Sequence, residues 1–350
     1  MIIDITGFGY SGSGAFLDLL LEYEEIEFPW SEEFELSILH NVDGIKDLEY
    51  KLLYKHCRFF DSDIAIKRFL HLVKDHYNMR GDLRGKAYPI CLNYIRELIG
   101  IRFDSQSIYD QIYFCNLKTF VIKYYNFFIS ALFKNKMSKL FFKASTAEKF
   151  KMNNFNTKYL SYNPDNFVNS TRKMMGELLS IKRTDIEKIL ITDHLMPPDD
   201  PIPYFTYIDE EIKCIIVRRD PRDTYILAKE KYKRKIPIPV DNVNDFIWFY
   251  KYTIEQTKIN SSGSVLSINF EDLVYNYNDT IHEIELFCGI SKHISPFKYF
   301  DPNKSINNTQ LYKTYRQYSN DIANIEEQLP DSLFDFSKYE SIEHDNRNIF

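Results

Sequence analysis

Two segments of this chain carry residue types that together could hold a multiply charged anion. The first is GFGYSGSGAFLDLL at 7–20, with four glycines and two serines between an apolar run and a helical pattern. Glycine lets the backbone turn tightly and come close to an anion. The helix that follows presents unpaired amides and the positive end of its dipole, and Ser11 and Ser13 add hydroxyl donors. The second segment, IKCIIVRRDPRDTYILA at 212–228, sets Arg218, Arg219, Asp220, Pro221, Arg222 and Asp223 just past an apolar run. An arginine at the carboxyl end of a buried strand points into the ligand crevice, and its planar fork suits phosphate. Pro221 is placed to open the next helix, with Asp223 near its positive end as a helix-start or loop-holding residue.

The glycine loop fits two phosphate-binding patterns incompletely. Gly7 and Gly12 have the spacing of GxxxxGK[ST], but Ser13 stands where the lysine belongs. Gly7, Gly9 and Gly12 meet GxGxxG loosely, yet no second strand ends in a well-placed ribose-binding acid, so a dinucleotide site is the weaker reading. A third segment, TDHLMPPDD at 192–200, puts Asp193 and His194 at the end of another apolar run. Histidine titrates near neutral pH, which makes His194 a candidate base.

The elements that must position these groups are short apolar runs at 2–6, 26–29, 188–192, 213–219 and 264–270. Such runs suit parallel strands covered on both faces. Helical patterns at 13–23, 223–233 and 243–258 alternate with them. The alternation predicts a doubly wound parallel sheet of about five strands, with ligands at the strands' carboxyl ends. Residues 34–186 read as helical periodicity, for example at 63–77, 88–99 and 170–182, and are expected to form a helical insertion or lid within a single domain spanning 1–350. Trp248 and Tyr252 share a helical face, where core packing is the expected use. The run KEKYKRK at 229–235 reads as a solvated helix face, with an acidic glycan or lipid headgroup as its alternative partner. Glu271 and Asp272 are expected to anchor a helix start.

Composition narrows the class. The chain has 350 residues, 44% of them hydrophobic and 16% aromatic, which excludes low-hydrophobicity disorder. Its net charge of −6 gives no global basic field for nucleic acid. The five cysteines are scattered and form no CxxC pair, which argues for free thiols in a reducing compartment over a disulfide framework or a zinc cluster. The start, MIIDITGFG, lacks the pattern of a signal peptide. No window reaches roughly 18 apolar residues, and lysines interrupt the aromatic stretch at 114–142. A cytoplasmic protein without a transmembrane segment is expected, and the Lys, Ile, Asn, Tyr and Phe bias fits an AT-rich bacterial genome.

With these motifs quoted, the chain resembles the family of sulfotransferases that use PAPS (3′-phosphoadenosine 5′-phosphosulfate). That family's signature is an N-terminal glycine loop for the 5′-phosphosulfate and a later strand followed by R-[DN]-P-R-D, whose arginine holds the 3′-phosphate. VRRDPRD matches, with Arg219 in that position. INFEDLVYNYNDTIHEIELFCGI at 268–290 is similar to the family's next strand and helix, and KSINNTQLYKTY at 304–315 lies where the family places a loop over the donor. The motifs occur in the family's order from residue 7 to about 315 and do not reach the block at 34–186.

The resemblance implies a P-loop-like three-layer α/β sandwich and transfer of a sulfuryl group from PAPS to an acceptor hydroxyl or amine, on a small molecule or, more in keeping with a bacterial enzyme, a carbohydrate. PAP (3′-phosphoadenosine 5′-phosphate) would be the product, and no metal is required. It places Gly9, Tyr10, Ser11, Gly12, Ser13, Gly14, Arg219, Arg222, Thr224 and Lys304 around the donor. It also favours Glu33, then Glu32, in PWSEEFEL (29–36) as the base, beside His194. Two departures stand out. The family's glycine-loop lysine is replaced by Tyr10, a loss worth about 3 kcal/mol of transition-state stabilisation unless another cation substitutes; Arg218 and Lys304 are the candidates. The family's serine eight residues after the phosphate arginine is replaced by Leu227, leaving Arg219, Arg222 or Thr224 to hold the 3′-phosphate. The alternatives are a degenerate P-loop kinase or NTPase and a non-catalytic relative that binds PAP.

Overall fold

The protein is described from a computed structural model covering residues 1–30, 35–54, 59–105, 157–231, 238–255, 263–291, 293 and 296–342. Its strands among these residues are β1 (Ile2–Gly7), β2 (Ile26–Glu27), β3 (Ile101–Asp104), β4 (Thr157–Leu160), β5 (Ile189–Asp193), β6 (Ile212–Arg218) and β7 (Val265–Asn269). The helices used below are α1 (Ser13–Leu20), α2 (Phe59–Leu72), α3 (Ala87–Leu98), α4 (Phe167–Leu179), α5 (Pro221–Ile226), α6 (Val243–Tyr250), α7 (Phe270–Tyr275), α8 (Tyr277–Cys288) and α9 (Ser319–Gln328). The chain divides into two compact units, one of 1–41, 81–83 and 175–350, the other of 42–80 and 84–174.

The first unit is α/β. Its five strands are all parallel and lie in the order β2-β5-β1-β6-β7. β1 is buried along its whole length, as a central strand covered on both faces must be. Ile3 and Ile5, with Ile215 and Val217 of β6, pack against Phe16, Leu19 and Leu20 of α1 and Ile281 and Ile284 of α8. A second cluster joins α5, α6 and α9 through Tyr225, Phe246, Ile247, Ile322 and Ile325. The arrangement is consistent with a three-layer sandwich.

β1 carries one acid into this core. The Asp4 carboxylate is fully buried and accepts hydrogen bonds from the Thr192 hydroxyl (2.8 Å) and the Leu195 and Met196 amides (both 2.9 Å). A buried charge without such donors would cost several kcal/mol; here it pins the turn after β5 to β1. The chain leaves β1 through α1 towards β2 on one side, and leaves β6 through α5 and α6 towards β7 on the other. Between β1 and β6 lies the switch point at which open parallel sheets bind ligands.

The second unit departs from the helical block expected at 34–186. It holds α2, α3 and the first part of α4, but also the antiparallel pair β3–β4, with Ile101 opposite Leu160. Lys158 on β4 is buried against Asp63 of α2 at 3.3 Å, and Asp63 also receives Lys67 (2.9 Å) and the Tyr159 amide (3.1 Å). Both strands have only four residues; Ile101–Asp104 alternates apolar and charged, but over too short a run to stand out from the helical patterns around it, and Thr157–Leu160 does not alternate.

Trp248 and Tyr252 are also corrected: they are 67% and 61% exposed and stack on each other, 5.4 Å between centroids. The neighbouring Phe246, Ile247 and Tyr250 take the buried side of α6 instead. No helix among the described residues is long and apolar enough to cross a membrane; the stretch at 114–142 and residues 232–237 of the basic run lie outside them.

The meeting of β1 and β6 sets a steric demand at Gly7. A Cβ there would lie 2.1 Å from Ser11 Oγ and 2.8 Å from the Val217 carbonyl oxygen. Gly7→Ala is expected to destabilise the protein by the upper part of the roughly 1–3 kcal/mol typical of overpacking. Gly14→Ala, where no atom lies within 4 Å of the added carbon, should leave the urea midpoint unchanged or raise it.

Candidate functional site

The loop after β1 folds back on itself through the Ser11 amide, which donates to the Phe8 carbonyl at 2.9 Å. Tyr10 (φ 66°) and Gly12 (φ 89°) take left-handed conformations. Helix α1 then starts at Ser13 with no side chain capping its amides and no acid in its first turn. That leaves a positive dipole end with unpaired donors. The backbone at Gly14 faces open space.

Arg219 reaches this loop from β6. It is buried, and among the described residues no carboxylate forms an ion pair with its guanidinium. Instead Nη1 donates to the Tyr10 carbonyl at 3.3 Å, Nη2 donates to the Asn308 carbonyl, and the group lies over the Phe270 ring at 4.8 Å. Three segments far apart in sequence, the glycine loop, the end of β6 and the 304–312 loop, thus meet at one cation. Asp223 holds the third of them in place, accepting from the Gln310 amide at 2.7 Å and the Tyr312 amide at 3.2 Å. Its position near the start of α5 gave it that loop-holding role. Glu271 accepts from the Asp220 amide at 3.0 Å. Burial, then the charge of Asp220, pushes its carboxyl up to about 8. Burial thus disfavours a negative charge on Glu271 beside Arg219.

A cavity of about 550 Å³ opens beside this junction, lined by Tyr10, Gly12, Gly14, Arg219, Lys304 and Asn308, with Phe270, Phe297, Lys298 and Tyr299 among its other walls. A smaller one of about 150 Å³ lies against Gly9, Ser11, Arg218 and Thr224, and Arg219 borders both. Ser11 Oγ, Arg219 Nε and the Asn308 side-chain oxygen are buried without hydrogen-bond partners. Orphaned polar atoms are rare in a folded interior, and a polar ligand in these cavities would satisfy the ones gathered here.

The expected residues separate on inspection. Tyr10, Gly12, Gly14, Arg219 and Lys304 come together around the larger cavity, Gly9 and Ser11 face the smaller one, and Ser13 is half-buried at the head of α1. Arg222 is a correction. Its guanidinium is spent on Asp220 (2.7 and 3.0 Å), on Glu326 (2.8 Å) and on the Phe334 carbonyl (3.0 Å), and it stacks over Tyr312. It braces the scaffold, with four of its five N–H donors engaged by these partners. Thr224 turns its hydroxyl back to the Asp220 carbonyl at 3.1 Å. Phe270, Lys298 and Asn308 were missed: Phe270 reads as a core aromatic, and nothing in sequence brings 298 or 308 beside residue 12.

His194 sits at the carboxyl end of β5, as expected, in a left-handed turn (φ 53°). Its Nδ1 meets Asp193 at 2.7 Å and its Nε2 meets the Gly7 carbonyl at 3.0 Å. With both nitrogens against acceptors the imidazole has no lone pair free to act as a base. Burial pulls it down, but Asp193, aided by Glu35 and Asp4, lifts it to about 9. It is a cation that steadies the root of the glycine loop. Glu32 and Glu33 lie outside the described residues. Among the described residues, Glu35, Asp193 and His194 cluster within 4.8 Å.

No known protein family matches this sequence, and no curated protein matches it.

Two outcomes follow from this geometry. Arg222→Met strips the fully buried Asp220 carboxylate of its bidentate partner and should cost about 3–5 kcal/mol in urea unfolding. His194, whose folded value of about 9 exceeds the ordinary 6.5, stabilises the fold fully below pH 6.5 and loses that contribution as pH rises through about 9. Stability of the wild type should therefore fall more steeply between those limits than that of His194→Asn, which tolerates the left-handed turn, by up to about 3 kcal/mol.

Proposed function

We propose that this protein is a PAPS-dependent sulfotransferase of P-loop-like fold. The observation that carries the reading is Arg219, a buried guanidinium bound to the carbonyls of Tyr10 and Asn308 and open to a nucleotide-sized cavity. The cavity's chemistry suits an adenosine bisphosphate: an uncapped helix end and Arg219 for phosphates, with the aromatic rings of Phe270, Phe297 and Tyr299 for a base.

In such a transfer the acceptor oxygen or nitrogen attacks sulfur. The bond from sulfur to the bridging phosphate oxygen breaks, PAP departs with the electron pair, and the acceptor's proton passes to a base. The protein's share is alignment and stabilisation of charge on the departing phosphate. Of the two cations that could replace the missing glycine-loop lysine, Lys304 lines the larger cavity; it is 86% exposed and only loosely engaged with Asp301 at 3.9 Å, free to swing inward. Arg218 lines the other cavity. For the base, His194 is blocked, which leaves Glu33 or Glu32. The Leu36 amide donates to the Asp193 carbonyl at 3.1 Å, so the chain just after them runs at the end of β5. A carbohydrate hydroxyl or amine is the acceptor this reading favours, by family analogy.

A second reading, a PAP-binding protein without transfer activity, is favoured by Tyr10 at the lysine position. Calorimetric titration should show PAP binding at least about tenfold more tightly than ADP, the worth of a charge-assisted contact to the 3′-phosphate. Arg219→Ala should abolish that preference. Equal affinities in the wild type would overturn the assignment of Arg219. Transfer of sulfur-35 from labelled PAPS to sugar acceptors distinguishes the enzyme from the binding protein.

A further inference from the structure

The smaller cavity is separate from the one assigned to the nucleotide, and its chemistry is different. Its walls are chiefly Phe8, Phe246, Phe249, Ile238 and Ile254, with Tyr250. The Tyr250 hydroxyl is already committed, donating to the Arg219 carbonyl at 2.9 Å. The Thr224 hydroxyl is likewise turned to backbone. The Thr253 hydroxyl donates to the Phe249 carbonyl at 3.0 Å, and Arg219, which borders both cavities, is held by the Tyr10 and Asn308 carbonyls. Two further polar groups line the wall. Ser11 is 4% exposed, and its Oγ has no partner. Arg218 is half-buried with an orphaned Nε, and it makes no hydrogen bond or ion pair with any described residue. A partly buried guanidinium with no counter-charge among the described residues is among the costlier features a fold can keep, and a hydroxyl orphaned beside it compounds the cost.

Size and polarity define what would relieve this. A void of about 150 Å³ is the size that accepts a benzene ring when lined by apolar side chains. A nucleotide is too large, a metal cation is repelled by Arg218, and a bare inorganic anion would leave the aromatic walls without contacts. We propose that this cavity is a second binding site, for a benzene-sized monocarboxylate. The carboxylate meets Arg218 and Ser11, and the ring or branched chain lies against Phe246, Phe249 and Ile254.

The test is calorimetric titration of the full chain with benzoate, and with benzamide as its neutral isostere. Benzoate should bind saturably at one site, and benzamide at least about tenfold more weakly, because a charge-assisted contact is lost. Arg218→Met should lose at least about tenfold in benzoate affinity while melting at the same temperature as the wild type or higher, since it removes an uncompensated charge. Phe249→Trp, which enlarges an apolar wall and leaves Arg218 and Ser11 in place, should also weaken benzoate binding, and covers the case in which Arg218→Met fails to fold. No saturable benzoate binding, undiminished binding to Phe249→Trp, or sulfate binding as tightly as benzoate would overturn the proposal. PAP titration of the same variants keeps the two sites apart, because benzoate binding stands or falls independently of whether PAP binds.

Discussion

The junction of the glycine loop, the end of β6 and the 304–312 loop depends on a single guanidinium. Arg219 donates to the carbonyls of Tyr10 and Asn308, so its charge is oriented by acceptors that do not cancel it. A carboxylate in the same place would hold the side chain as firmly and neutralise it. Carbonyl partners orient the guanidinium beside the cavity at Gly12 and Gly14 without adding a charge of their own. Glu271, a buried acid against the turn, is pushed up to about 8 by burial and by Asp220, so burial disfavours a competing negative charge there.

This arrangement requires a rigid surround, supplied by acids that are fully hydrogen-bonded. Asp4 ties β1 to the turn after β5 with three donors, Asp223 holds the loop at 310–312, and Asp220 is locked to Arg222. Each is buried, and each would be destabilising if left alone. Their satisfaction lets the polar atoms of the site itself stay unsatisfied: Ser11, Arg219 and Asn308 keep orphaned groups because the frame around them does not depend on pairing them. Strain and desolvation concentrate where a ligand can relieve them.

Much of this was legible in the sequence, and the exceptions have physical causes. The five parallel strands announced themselves because a strand covered on both faces must be apolar throughout; each lies within two or three residues of its expected place. The glycine loop and Arg219 were legible for a similar reason, since few contexts put four glycines or a double arginine at a buried strand's end. Arg222 was misread because RDPRD offers two arginines one turn apart, and only the fold shows that Asp220 claims the second. His194 was misread because a histidine's role depends on what faces its two nitrogens, here Asp193 and the Gly7 carbonyl, 187 positions away in the second case. Trp248 and Tyr252 were placed in the core because they share a face, but periodicity names a face without saying which way it points. The β3–β4 pair is held by backbone bonds and a buried Lys158–Asp63 contact, and the four-residue alternation of Ile101–Asp104 is too short a trace to mark a strand.

The double arginine ends as the most informative feature because of strand geometry. Successive residues at the end of an extended strand project to opposite sides. Arg218 closes β6 opposite Asn269 of β7, and Arg219 follows it. Their side chains diverge accordingly: Arg219 crosses to the loop after β1 and borders both cavities, whereas Arg218 lines only the smaller one. Neither can replace the other without reversing the strand's register, a shift that would carry Ile215 and Val217 out of the core they share with α1. The hydrophobic pattern of β6 thus fixes which of two adjacent arginines reaches the glycine loop and the larger cavity.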